Sequence, residues 1–157
     1  MARTPRLDDF LPYQLSLVTN AVSARIAESY RDTFGLKVTE WRVMAVLGDG
    51  GARTQRDIAR ATMMDKVAVN RACKAMAARG LLTRAPNPAD GRSHHLALTA
   101  EGAAIHARIM PHAQAIERRL FAVLTAEEQT SLRDLLARVR EQADALGPDA
   151  DYGGIGD

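Results

Sequence analysis

Apolar residues recur every three or four positions along almost the whole chain, and that rhythm fails in one place. Leu15, Val18, Val22, Ile26 and Tyr30 keep the helical period and predict a helix over 11–34, with Gly35 as its stop. Thr39 is placed to cap a second helix carrying Trp41, Val43, Met44 and Val46, broken at Asp49-Gly50-Gly51. Thr54, with Asp57 three residues on, opens a third helix, and Asp65 opens a fourth that Gly80 ends. Then the period changes. Leu81 to Pro86 reads as a strand, Asn87-Pro88-Ala89-Asp90-Gly91 is dense turn chemistry, and Leu96 and Leu98 alternate with His95 and Ala97. This segment predicts a β-hairpin with a long tip. The helical period resumes with Thr99 as cap and Ile105, Ile109, Ile116 and Leu120 as stripe, kinked at Pro111. Thr125 and Glu128 form a capping box for a last helix with Leu132, Leu135, Leu136 and Val139 on one face, running to about Leu146.

A chain of 157 residues suits one domain. Only 4% of its residues are aromatic, so its core must be built from Leu, Ala, Val, Ile and Met, which favours packed helices over a β-sandwich. The single cysteine, Cys73, excludes an intrachain disulfide and a cysteine-based zinc site, and suits a reducing, cytoplasmic setting. No apolar run approaches the roughly 18 residues of a membrane span. The basic stretch from Met1 to Arg6 is followed by Asp8 and Asp9 and does not read as a signal peptide. The tail from Asp149 to Asp157, acidic and glycine-rich, is expected to be mobile.

The net charge of +2 conceals an uneven distribution. Between Arg53 and Arg92 stand nine basic residues and three acids, a local charge of +6, and the rest of the chain sums to −4. A basic centre between acidic flanks is the footprint of a polyanion-binding module on a scaffold.

The fourth helix has two faces. Val69, Ala72, Cys73 and Met76 fall at i, i+3, i+4 and i+7 and form a buried stripe, which makes Cys73 a core thiol. Val67, Asn70, Arg71 and Lys74 fall at the same spacing on another face. A short apolar group, an amide and two cations suit a helix in the major groove: methyl contact to thymine, amide pairing to adenine, guanidinium to guanine or phosphate. Arg92, on a narrow loop after Asp90, suits the minor groove, with Asp90 near enough to brace an arginine. Helix, helix, short turn, helix and hairpin in that order make a winged helix-turn-helix.

Residues 39–99 resemble the multiple-antibiotic-resistance regulator (MarR) family of bacterial transcription factors. Thr39-Glu40-Trp41-Arg42-Val43-Met44-Ala45-Val46-Leu47 is similar to that family's second helix. Asp65 to Arg71, continued through Ala78-Arg79-Gly80-Leu81-Leu82, is similar to its recognition helix and first wing strand. Asp90-Gly91-Arg92, followed by Leu98-Thr99-Ala100-Glu101-Gly102, matches its wing signature, the most specific of these signals. The likeness extends over about residues 11–146, by pattern alone in the terminal helices. Lys66, Val67 and Ala68 stand where the family often has Ser or Thr, which shifts the expected base preference.

The resemblance implies a mainly α fold with a small β-hairpin wing. It places an N-terminal dimerisation helix in residues 1–36, a DNA-binding lobe in 37–100, C-terminal dimerisation helices in 101–147 and a tail in 148–157. It implies a homodimer on a pseudo-palindromic DNA operator, acting by default as a repressor. Arg56, Lys66, Val67, Ala68, Asn70, Arg71, Lys74, Asp90 and Arg92 are the DNA-contact candidates. The family often binds small anionic aromatic effectors between the dimer helices and the lobe. Tyr13, Ser16, Arg42 and His112 are the candidates for such a site, with Arg42 pairing a carboxylate.

Other functions find little in the sequence. No nucleophile–base pair, phosphate loop or spaced acid pair suggests an enzyme, and no cofactor is implied. His94 and His95 are adjacent on a strand and face opposite sides, and His106 and His112 are six apart, so neither pair suits a metal. The alternative to an effector-controlled regulator is an architectural DNA-binding protein with weak sequence preference.

Overall fold

The computed structural model describes residues 6–147, so the expected tail lies outside the described residues. The chain forms two compact units, the first ending at Glu117 and the second starting at Arg118.

The first helix is shorter than its periodicity predicts. α1 spans Leu11–Ala27, and Glu28–Tyr30 turn the chain into a four-residue helix α2, Arg31–Phe34. Gly35 closes α2 with φ +62°, a left-handed conformation that glycine adopts without strain. Tyr30 is buried and so keeps its place in the apolar series, but across a break in the helix. Leu15 and Val18, by contrast, are exposed in the single chain.

α3 spans Val38–Gly50 and begins one residue before the expected cap at Thr39. The Glu40 carboxylate accepts the Lys37 N–H at 3.0 Å and satisfies that end instead. α4 spans Gln55–Thr62 and carries the expected Thr54/Asp57 box. Met63, with φ +55°, makes the turn into α5, Lys66–Ala78. Asp65 caps α5 by accepting the Ala68 N–H at 2.8 Å.

The sheet has three strands where the sequence suggests two. β1 is only Arg53–Thr54, β2 is Leu82–Asn87 and β3 is Asp90–Leu98, in the antiparallel order β1-β3-β2. β1 pairs Arg53 with Leu96 and Thr54 with His95. The expected long hairpin tip is also corrected. Asn87 pairs with Asp90, leaving a two-residue turn at Pro88–Ala89, and the surplus length is taken up elsewhere. Pro86 pairs with His94, so Gly91, Arg92 and Ser93 have no opposite number and form a bulge on β3.

α6 spans Ala100–Phe121 and continues through Pro111 as one helix, with the proline on its exposed side. Thr99 caps it and donates its own hydroxyl to the Gly80 carbonyl at 2.7 Å, tying the end of β3 to the end of α5. Gly102 packs so closely that a Cβ there would overlap the Leu81 carbonyl oxygen.

The core of the first unit gathers Val43, Met44 and Leu47 of α3, Ile58 of α4, and Val69, Cys73 and Met76 of α5. Leu81, Leu82 of β2, Leu96 of β3 and Ile109 of α6 close it. Trp41 stacks between Tyr30, at 5.3 Å, and His106, at 6.0 Å, joining α3 to the chain before α2 and to α6.

In the second unit, α7 spans Ala126–Leu146, opened by the expected Thr125/Glu128 box. Its Leu135, Leu136 and Val139 are about half exposed, at 52%, 47% and 57%. No described helix is long and apolar enough to cross a membrane.

Candidate nucleic-acid interface

α5 is anchored by one face and open on the other. Val69, Ala72, Cys73 and Met76 are buried as their spacing requires. Burial pushes the Cys73 thiol up, against an opposing pull from the Arg84 charge, as expected of a thiol packed in the core. On the other face Lys66, Arg71 and Lys74 are exposed and Asn70 is half-buried. Val67 is 59% exposed, an apolar side chain with no cover at the start of a polar face. Ala68 is half-buried, with its amide committed to Asp65.

The wing is organised by hydrogen bonds at its tip. The Asp90 carboxylate accepts the Arg92 N–H at 3.0 Å, and Ser93 Oγ donates to the Asp90 carbonyl at 3.3 Å. Asn87 Nδ2 donates to Ser93 Oγ at 2.9 Å, while Asn87 Oδ1 accepts the Ala89 N–H at 3.0 Å. These bonds hold the bulge and present Arg92 outward. Asp90 therefore braces the backbone of Arg92, and among the described residues it forms no ion pair with an arginine.

Between the first turn of α4 and the wing lies a cavity of about 490 Å³. Arg56, Arg84, Arg92 and His94 line it together with Asp57 and Asp90. Asp57 is held below the usual aspartate range chiefly because the Thr54 hydroxyl donates to its Oδ2 at 2.7 Å. It is thus an anion fixed at a helix start, where the dipole favours it. Of the DNA-contact candidates, Arg56, Asp90 and Arg92 meet at this cavity, while the other six share α5.

Arg84 belongs to this group too, although no local pattern in the sequence marks it out. The register reveals it: Arg84 and Arg53 pair with Leu96 from its two sides. β1 is too short to carry a strand pattern, so no local signal announces that arrangement. Arg53 also packs against Gly50, where a Cβ would overlap its guanidinium, and its buried Nε has no hydrogen-bond partner.

The four effector candidates are not gathered by this cavity. Ser16 is exposed and donates to the Pro12 carbonyl at 3.0 Å, and Tyr13 is half-buried on the same helix. Arg42 is half-buried near Tyr30, whose hydroxyl is pushed up by burial and drawn back by Arg31 and Arg42. His112 is exposed on α6.

A model of the MarR family matches residues 34–93, which run from the end of α2 through the wing bulge. The chain belongs to the MarR family of transcriptional regulators. It is 26% identical to the multiple antibiotic resistance protein MarR of Salmonella typhimurium over 127 residues, which is 80% of this chain and 88% of that one. A solved probable transcriptional regulator from Pseudomonas aeruginosa is 32% identical, with a TM-score of 0.72 over 85% of this chain and 99% of the other. BpsR of Bordetella bronchiseptica, whose DNA binding is regulated by 6-hydroxynicotinic acid, is 26% identical. Its TM-score is 0.74 over 83% of this chain and 98% of that one. The fold of this MarR-family chain is mainly helical with a small antiparallel wing, as the sequence led one to expect.

Proposed function

We propose that this MarR-family chain is a cytoplasmic, sequence-specific regulator that binds double-stranded DNA as a homodimer and acts as a repressor. One observation carries the reading: a single lobe presents an open α5 face, with Val67 bare among Asn70, Arg71 and Lys74, and a wing bulge that projects Arg92. α5 lies in the major groove and reads base edges, Lys66 and Arg56 hold phosphates, and Arg92 enters the neighbouring minor groove. Arg56, Lys66, Arg71, Lys74 and Arg92, exposed cations of the +6 segment, supply the salt-dependent part of the affinity.

The dimer follows from uncovered apolar surface. Leu11, Leu15, Leu17 and Val18 of α1 are 70%, 42%, 49% and 57% exposed, and α7 bares its own stripe. Helices that expose such stripes bury them against a partner. A second copy of the chain is that partner, and its two-fold symmetry matches a pseudo-palindromic operator.

A small aromatic carboxylate releases the DNA. Support comes from the relative controlled by 6-hydroxynicotinic acid and from Arg42, a half-buried cation beside an aromatic stack. Tyr13, Ser16 and His112 complete the candidate set. Such a ligand acts only by binding the DNA-competent and incompetent arrangements unequally.

Selection of duplexes from a randomised pool, followed by mobility shift, tests the reading. One enriched pseudo-palindrome is expected, released by an aromatic carboxylate that also raises the protein's melting temperature. Binding without sequence preference would instead mark an architectural protein.

A further inference from the structure

We infer that Arg79 is a positioning residue for DNA recognition, fixing the recognition helix on its lobe without touching DNA; the inference rests on the proposed DNA-binding function. Arg79 is the C-cap of α5, at the far end from Val67 and Asn70, which face the bases in the proposed complex. Its guanidinium reaches 44 and 45 residues back along the chain. Nη2 donates to the Phe34 carbonyl at 2.6 Å and Nη1 to the Gly35 carbonyl at 3.1 Å. These are carbonyls at the C-terminal end of α2, where a cation is favoured and helical partners run out.

The same guanidinium faces Glu40 at 3.8 Å. Glu40 is 5% exposed and is the only buried charged residue among those described. Its carboxylate also holds the start of α3 through the Lys37 N–H. One side chain therefore ties the end of α5 to the end of α2 and the start of α3. Phe34 extends the tie, since its ring carries the Arg108 guanidinium of α6 at 4.9 Å while its carbonyl holds Arg79. Two forked donors fix direction as well as distance, which a single apolar contact does not. Two of the five N–H donors of Arg79 are committed to carbonyls of the lobe, which fixes the guanidinium although the side chain is partly exposed.

The test compares the duplex selected by the wild-type protein with a scrambled duplex of equal length, over a series of salt concentrations. Arg79→Ala is expected to lose about tenfold in affinity for the selected duplex, the scale of losing charge-assisted hydrogen bonds. Affinity for the scrambled duplex and the salt slope should stay as in wild type. Arg79→Lys restores part of the loss, because an ammonium reaches one carbonyl but lacks the fork. Glu40→Gln keeps an acceptor for Lys37 and removes the charge facing Arg79, and should fall between wild type and Arg79→Ala. If Arg79→Ala fails to fold, the Lys and Gln variants carry the same test. Unchanged discrimination in the folded variants overturns the proposal. So does an equal loss on both duplexes with a salt slope lower by about one, the mark of a phosphate contact. A wild-type protein that binds no duplex preferentially overturns the DNA-binding function itself, and this inference with it.

Discussion

The backbone N–H of Arg92 donates to the Asp90 carboxylate at 3.0 Å, within a bulge that β2 does not match. The side chain of Arg92 is left exposed by that arrangement. Arg92→Ala is therefore expected to cost about 1–3 kcal/mol of operator affinity while the dimer persists. Asp90→Ala, which loosens the bulge but keeps the arginine, should cost less. Mobility shifts at matched salt check both, and equal affinity for wild type and Arg92→Ala would sink the wing's role.

On the proposed function, the α5 face should separate reading from holding. Asn70→Ala should relax base preference at one operator position, costing about 1–3 kcal/mol on the preferred base. Lys74→Ala should weaken all duplexes alike and lower the salt slope by about one. Binding to single-base variants of the operator distinguishes them. A uniform loss in both would remove the direct-reading role of Asn70.

Gly102 meets backbone rather than a flexible side chain. Gly102→Ala should destabilise the first unit by about 1–3 kcal/mol, because neither the start of α6 nor the Leu81 carbonyl gives way easily. Urea unfolding measures this, and wild-type stability would show that the junction adapts.

Asp57 links stability to acidity. Its folded pKa lies below the ordinary aspartate range, first because of the Thr54 hydroxyl. The stabilisation is therefore complete above the ordinary aspartate pKa and is lost as pH falls through that value and then through the folded one. Thr54→Ala should cost about 1 kcal/mol at pH 7 from the lost cap, and less in acid. Parallel unfolding series at neutral and acid pH would refute this if the difference stayed constant.

The bare stripe of α7 predicts assembly. Sedimentation should give twice the chain mass for wild type, and Leu136→Glu should shift it toward the monomer and weaken operator binding. A wild-type monomer at micromolar concentration would overturn the dimer.

Elements whose signals are local were legible in the order of the amino acids. The caps at Thr54, Asp65, Thr99 and Thr125 bond to a residue three positions ahead, a local relation that type and spacing express, although the same signal at Thr39 does not become a cap. The buried stripe of α5 was likewise legible, because a helix maps spacing directly onto a face. Features that depend on partners distant in the chain emerged only on folding. β1 exists because Arg53 and Thr54 find Leu96 and His95, and two residues hold no pattern of their own. The helix break after Ala27 is invisible to periodicity because Tyr30 is buried from either side of it. The hairpin's extra residues became a bulge rather than a long tip because Asn87 could pair with Asp90. Arg79 read as one more cation until folding brought the Phe34 carbonyl beside it. A side chain's reach along a helix is fixed by local geometry, whereas its partner across the fold is set by how the core packs.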